Sequence, residues 1–285
     1  MKNIPVRHIK ATPKEANASD GFSIRDVRGL LNGKDMVQEL HRHDFFYILA
    51  LKKGAGHHAI DFTSYDVRDH AVFVMRPGQV HQHTLKAGST GYLMEFRNDF
   101  YHPNDKASNQ PLRKASATNL HQLDAKGFNK LFPLLTYIFQ EYNEKEEGYG
   151  EVIKANLGIF FIELIRQHSK APSNGANTYT QERIENFLEL LETHIATHKQ
   201  VAQYGEMMNL SPFQLNAITK ATLGKTCSEL INEHIILESK RYLLATSNQV
   251  NQIAYHLGYE DVSYFIRFFK KHTGHSPEAF RHNFR

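Results

Sequence analysis

The stretch Val250-Asn251-Gln252-Ile253-Ala254-Tyr255-His256-Leu257-Gly258-Tyr259-Glu260-Asp261-Val262-Ser263-Tyr264-Phe265 decides how the C-terminal part of this chain folds. Val250, Ile253, Ala254 and Leu257 mark one face of a short helix, and Gly258 suits the left-handed residue that ends it. A polar turn follows, then a second helix with Phe265, Phe268 and Phe269 on its inner side. About 50 residues upstream, Val201-Ala202-Gln203-Tyr204-Gly205-Glu206-Met207-Met208-Asn209-Leu210-Ser211-Pro212-Phe213-Gln214-Leu215 repeats the plan. There Ser211 is a natural N-cap and Pro212 a natural first helical residue. Each pattern predicts a helix-turn-helix, and alone each is weak, because short helices joined by turns are common. A tandem pair on either side of a long helix over 228–245 predicts a unit that reads consecutive grooves on one face of duplex DNA. That connecting helix spans roughly 27 Å at 1.5 Å per residue, compatible with the ~34 Å repeat of the major groove once helix offsets are added.

The outward residues of each second helix are the candidate DNA contacts. In the first unit these are Phe213, Gln214, Ala217 and Lys220, with Leu215 and Ile218 turned inward. Gln214 can meet a base edge, Ala217 offers only apolar contact, and Phe213 suits either a thymine methyl or packing against protein. In the second unit Val262, Ser263 and Arg267 face outward, and Lys270, Lys271 and His272 cluster at the helix end for phosphates. Arg267 has the fork for guanine, though a phosphate or a nearby carboxylate would also satisfy it. The formal charge of +4 does not carry this reading. Residues 178–285 hold 11 basic and 11 acidic side chains, and from Asn209 onward nine against six. So sparse a footprint predicts modest nonspecific affinity and a shallow salt dependence.

The first hundred residues read differently. Short apolar runs at 37–39, 45–51, 57–62, 71–75, 80–85 and 91–96 alternate with turn formers such as Lys53-Gly54-Ala55-Gly56 and Arg76-Pro77-Gly78. Many short strands at this spacing predict a barrel or a sandwich. Helical periods follow at Leu131–Phe139 and Val152–Ile165, with a charged loop at 143–148 between them. Their aromatic stripes suit an antiparallel pair that also forms a homodimer seam, or else serves only the internal core. Ser169-Lys170-Ala171-Pro172-Ser173-Asn174-Gly175-Ala176-Asn177 has the composition of a flexible linker, and a new helical period begins at Thr180.

His41-Arg42-His43 and, about 35 residues later, Arg76-Pro77-Gly78-Gln79-Val80-His81-Gln82-His83 form a second constellation. If the strands bring His41, His43, His81 and His83 together, neutral imidazoles there suit hydrogen bonds to an organic ligand, a metal such as zinc, iron or nickel, or a purely structural role. Arg42, Tyr47, Tyr92 and Glu95 are further candidates for a polar pocket, whose mixed walls suit an aromatic or sugar-like metabolite. Strand parity is left open by the sequence, since successive residues alternate faces.

Residues 180–285 closely resemble the DNA-binding domain of the AraC/XylS family of bacterial transcription regulators. The resemblance rests on Leu237-Glu238-Ser239-Lys240-Arg241-Tyr242-Leu243-Leu244, on Gln252 through Tyr259, on Ser263 through Lys271 and on Thr273 through Arg281. Three positions depart from the family pattern: Ala217 where arginine is frequent, Thr219 where an aromatic is frequent, and Gly205 where alanine is frequent. The histidine pair of segments resembles the two-part signature of the cupin barrel, without the carboxylate of its enzymatic members, since Tyr47 and Ile48 stand in that region.

The resulting expectation is a two-domain α+β chain. Residues 1–168 form a cupin-like β-barrel (about 20–100) with a helical dimerisation segment (about 128–168), 169–178 a linker, and 179–285 an all-α domain with two helix-turn-helix units joined by a long helix. The resemblance implies a transcription activator whose promoter binding responds to a small organic effector, with RNA polymerase as a partner and a homodimer as the working form. A ligand-independent repressor or architectural protein is the alternative, followed by a metal-dependent cupin enzyme carrying a DNA-binding module. No catalytic residue, cofactor or bound metal is expected. One cysteine, Cys227, and no apolar run near ~20 residues predict a cytoplasmic location without a membrane partner.

Overall fold

The computed structural model describes residues 6–7, 21–101, 110–168 and 178–284. They form two compact units, one within 5–172 and one within 173–285. The linker expected at 169–178 falls on 169–177, outside the described residues, and residue 178 already belongs to a helix.

In the first unit β1 (Val6–Arg7) and β2 (Phe22–Asp26) precede a short helix, α1 (Val27–Leu31). A run of strands follows: β3 (Met36–His43), β4 (Phe46–Lys53), β5 (Gly56–Ile60), β6 (Thr63–Val67), β7 (Ala71–Met75), β8 (Val80–Leu85) and β9 (Thr90–Phe96). Helices α2 (Asn98–Tyr101) and α3 (Gln110–Ser116), strand β10 (Leu120–Gln122), and the long helices α4 (Ala125–Glu144) and α5 (Tyr149–His168) complete it.

The strands make two five-stranded sheets, ordered β1-β3-β8-β5-β6 and β10-β7-β4-β9-β2. The second sheet is buried on both faces, which explains the unbroken apolar runs of β4 and β7. One face carries Ile48, Ala50, Val72, Val74, Met94 and Phe96 against α4 and α5, whose Phe128, Leu131, Leu135, Phe160 and Phe161 complete that core. The other face carries Tyr47, Leu49, Leu51, Phe73 and Leu93, which meet Ile60, Val67 and Leu85 of the first sheet. The strict two-residue alternation assigns each residue to one core or the other.

The expected closed cupin-like barrel is therefore wrong. Among the described residues no ladder joins one sheet to the other; the sheets pack face to face and keep separate edges. Closure would require edge strands of matched length and pairing. Instead β1 has two residues and β10 three, and β6 at the other edge bears the exposed polar residues Thr63, Ser64 and Asp66. Short, polar edges discourage further pairing.

The second unit is all helical: α6 (Thr178–His194), α7 (Val201–Met208), α8 (Pro212–Leu223), α9 (Cys227–Ala245), α10 (Val250–His256), α11 (Val262–Thr273) and α12 (Pro277–Asn283). Local chemistry sets its boundaries. Ser211, Thr226, Asp261 and Ser276 each accept a backbone N–H of the helix they start. Phe187 of α6 meets Tyr204 of α7 edge-on, and Arg281 of α12 donates to the Leu243 carbonyl within α9 and the Asn248 carbonyl beyond its end. Phe265 and Phe269 are the buried aromatics of α11, while Phe268 lies half-exposed, in tilted ring contact with Tyr259 and His272.

Gly258 ends the α10 turn with φ of 74°, and a Cβ there would lie 1.7 Å from the Ala196 carbonyl oxygen. Lys199 ties the same place together, donating to the carbonyls of Ala196 at 3.0 Å and Gly258 at 3.1 Å. Gly258→Ala combines the cost of left-handed backbone with an overlap that only backbone movement relieves, so it should lower the stability of this unit by about 2 kcal/mol or more. Chemical denaturation of the full chain, followed by helical circular dichroism, checks this.

Candidate DNA interface and the histidine interior

Helix α8 begins with a closed capping box: the Gln214 N–H donates to Ser211 Oγ at 3.2 Å, and the Ser211 N–H donates to Gln214 Oε1 at 2.9 Å. The side chain of Gln214 is thus engaged on its own helix end, a role the base-edge reading did not include. Phe213, Ala217 and Lys220 are exposed, Phe213 to 83%, whereas Leu215 and Thr219 are buried. Thr219 is small because Cys227 lies against it, its hydroxyl 3.5 Å from the thiol. Burial pushes the Cys227 thiol up, so it sits in the core as a neutral group. Gly205 also has a physical reason: a Cβ there would stand 2.6 Å from the Leu210 carbonyl oxygen across the tight α7–α8 turn.

Helix α11 presents Ser263, Arg267, Lys270, Lys271 and His272 to solvent, with Val262 half-buried. Asp261 accepts the N–H groups of Ser263 at 2.7 Å and Tyr264 at 3.2 Å, which fixes the helix start. Its other oxygen lies 3.9 Å from the Arg267 guanidinium, with both side chains largely exposed, so Arg267 is only loosely held. The basic cluster at the C-terminal end complements the helix dipole. Tyr264, 55% exposed on the same helix, belongs with this surface and was not among the sequence candidates. Its position beside Ser263 in the outward turn was the available signal.

In the N-terminal unit the face of the first sheet that meets the second carries five buried histidines: His41 and His43 on β3, His81 and His83 on β8, and His58 on β5. Strand register brings them together. His41 pairs across from His81, and His58 pairs across from His83, with β8 lying between β3 and β5. His58 was missed by the sequence reading, although the alternation Gly56, His58, Ile60 places it on the inner face once β5 is paired.

His81 is the hub of the cluster. Its Nε2 is 2.8 Å from His43 Nε2, and its Nδ1 is 2.9 Å from His58 Nε2. His41 Nδ1 donates to the Glu39 carbonyl at 2.6 Å, which leaves the lone pair on its Nε2. Burial holds His43 down to about 3 and His41 and His83 to about 4, and it takes His58 and His81 well below the ordinary imidazole value. All five rings are neutral at pH 7. His43 Nδ1, His58 Nδ1, both nitrogens of His83 and the Tyr47 hydroxyl are buried without a hydrogen-bond partner. A buried polar group in that condition costs about 1–3 kcal/mol, so the interior is incomplete as a hydrogen-bonded core.

The other candidates divide by strand parity. Tyr47 joins the histidines, its ring stacked 5.3 Å from His43. Glu95 lies beside Tyr47 in register and is buried, with Arg25 donating to it at 2.6 Å. Burial raises the Glu95 carboxyl, and Arg25 opposes that rise. Arg42 points to the opposite face of β3 from His41 and His43. Tyr92 faces α4, packed on Phe132 and Phe139, beside a separate 220 Å³ cleft that Arg28 and Lys52 also line.

The sequence profile of the AraC-like ligand binding domain matches residues 32–118, and that of a helix-turn-helix domain matches residues 204–283. The chain belongs to the AraC/XylS family of transcription regulators. Among its relatives is the HTH-type transcriptional activator RhaS of Escherichia fergusonii, 24% identical over 254 residues, covering 85% of this chain and 86% of that protein. The arabinose operon regulatory protein of Salmonella typhimurium is 26% identical over 137 residues, 48% of each chain. Among solved structures, ToxT from Vibrio cholerae aligns with a TM-score of 0.42 at 14% identity, covering 92% of this chain and 97% of that one. The relatives are named as regulators, not as enzymes. Among the described residues no helix is long and apolar enough to cross a membrane.

The exposure contrast on α8 separates its solvent-facing residues from the core. Phe213→Ala should leave unfolding stability within about 0.5 kcal/mol of the parent, as for exposed positions generally. Leu215→Ala, one turn face away and fully buried, should cost about 2–5 kcal/mol. Parallel denaturant titrations of the two variants test the contrast.

Proposed function

We propose that this AraC/XylS-family chain is a transcription activator that binds promoter DNA as a dimer and responds to a small effector held in its N-terminal unit. The observation that carries the DNA-binding part is the repetition of one device on one frame. Helices α8 and α11 each follow a short supporting helix, each bears an exposed stripe, and α9 lies between the two devices. At 1.5 Å per residue the 19 residues of α9 extend roughly 28 Å, which suits successive major grooves on one face. The activator role follows the names of relatives such as RhaS, and contact with RNA polymerase is part of that proposal. Effector binding acts only if the bound molecule favours one arrangement of the regulator over another.

Within this reading Arg267 reads a guanine and Lys270 holds a phosphate, with Phe213, Ala217, Ser263, Lys271 and His272 filling the surrounding surface. Gln214, Lys220 and Val262 flank it. DNA selected from a random pool by the full-length protein supplies the test sequence. Arg267→Ala should weaken specific binding by about 1–3 kcal/mol and relax the preference at one base pair. Lys270→Ala should weaken all sequences nearly equally and reduce the salt dependence by about one phosphate contact. Failure of the parent protein to select any sequence would remove the reading, and equal losses across all single-base variants for Arg267→Ala would move that residue to the backbone.

The dimer is assigned to the α4–α5 pair. Tyr137, Ile159 and Ile162 are exposed there to 45%, 49% and 41%, while the inner faces of both helices are filled by the sheet core. Ile159→Arg combined with Ile162→Arg should shift the sedimenting species from dimer to monomer at micromolar concentration without loss of helical signal. A parent chain that is monomeric under those conditions overturns this assignment.

A further inference from the structure

We propose that the histidine interior of the N-terminal unit is a binding site for one divalent transition-metal ion of the zinc class, held by His58, His81 and His83. Two triads of ring nitrogens lie within 4.8 Å of one another, His41–His43–His81 and His58–His81–His83. They share His81, and a neutral imidazole offers one lone pair, so the proposed stoichiometry is one ion per chain. The choice between them follows from the hydrogen bonds. His41 has its Nδ1–H on the Glu39 carbonyl and His43 meets His81 at Nε2, so no ring of the first triad is wholly without a partner. His83, by contrast, has no partner at either nitrogen.

An ion bound at His81 Nδ1 would replace the 2.9 Å contact of that atom with His58 Nε2. Nitrogens sharing a tetrahedral ion at ~2.05 Å stand roughly 3.3 Å apart, so the two rings need to separate by only a few tenths of an ångström. With Nδ1 on the ion, His81 carries its proton on Nε2 and donates it to His43 Nε2, 2.8 Å away. That is the outer hydrogen bond that fixes the tautomer of a metal-bound imidazole. His43 is accordingly a positioning residue. Neutral imidazole donors suit Zn(II), Co(II), Ni(II) or Cu(II) and offer little to Mg(II) or Ca(II). His58 and His83 are cross-strand partners on adjacent strands, so two of the three ligands are set by backbone register.

The ion is an effector only if the regulator reading above holds, but its binding is measured without DNA. Chelator-stripped full-length protein is titrated with Co(II), read by visible d–d absorption, and then with competing Zn(II). Variants of the half-buried His194 and His198, whose rings lie 5.4 Å apart, remove an adventitious pair from the count. One equivalent should bind with a tetrahedral spectrum. His58→Gln and His83→Gln should each weaken binding about 100-fold or more, and His43→Gln about 10-fold through loss of the outer hydrogen bond. His41→Ala should change affinity less than about 3-fold, since its Nδ1 bond lies outside the bound triad. Circular dichroism confirms that each variant is folded, and the titration of the parent protein decides the matter if a variant is not. Absence of stoichiometric binding by the folded parent overturns the proposal. So does loss of binding in His41→Ala with retention in His83→Gln. Either failure leaves DNA selection by the parent protein untouched, and a failure of DNA selection leaves the metal titration untouched.

Discussion

The two-residue period of the β10-β7-β4-β9-β2 sheet is the constraint on which the N-terminal unit depends. Because both faces of this sheet are buried, every side chain is assigned to the helical core or to the inter-sheet core, and a register shift would exchange them. Tyr47 and Tyr92 illustrate the consequence. Both sit on central strands, both are aromatic, and they end on opposite sides of one sheet. The separation of the histidine interior from the α4–α5 face follows from that parity.

The facing sheet uses the same period for a different end. On β3, β8 and β5 the inward positions next to the inter-sheet core include five imidazoles in place of further aliphatic side chains. Aliphatic residues there would complete the core at no polar cost. The imidazoles are instead uncharged, tightly packed and short of partners, so the interior carries a stability cost that a packed hydrocarbon core would not. Such a cost, placed on one sheet of the family's ligand-binding domain, is what gives this interior a chemical character beyond packing.

The helical unit is governed by ends rather than by faces. Side-chain caps start α8, α9, α11 and α12, and a left-handed residue closes α7, α8 and α11. The close approach at Gly205 tightens the α7–α8 turn, that at Gly258 seats the α10–α11 turn on the Ala196 carbonyl, and Lys199 joins the segment after α6 to the same turn. Exposed stripes on α8 and α11 therefore belong to elements whose start, stop and orientation are set locally.

Much of this was legible in the sequence, and the physical reason is that the signals are local. Ser211-Pro212, the left-handed Gly258, and the apolar periods of α4, α5, α9 and α11 each depend on neighbours within a few residues. Strands β7 and β8 were likewise bounded by their turns. Tertiary structure decided what depends on distant pairing. It alone showed two open sheets instead of a closed barrel, because closure is a property of edges, not of strand spacing. It added His58 to the histidines because β5 pairs with β8, and it removed Tyr92 and Arg42 from them because strand parity turns those side chains away. Residue type and spacing determined which chemistry the chain carries. Register determined which of those side chains meet, since a side chain's partners lie on strands that the sequence does not place beside one another.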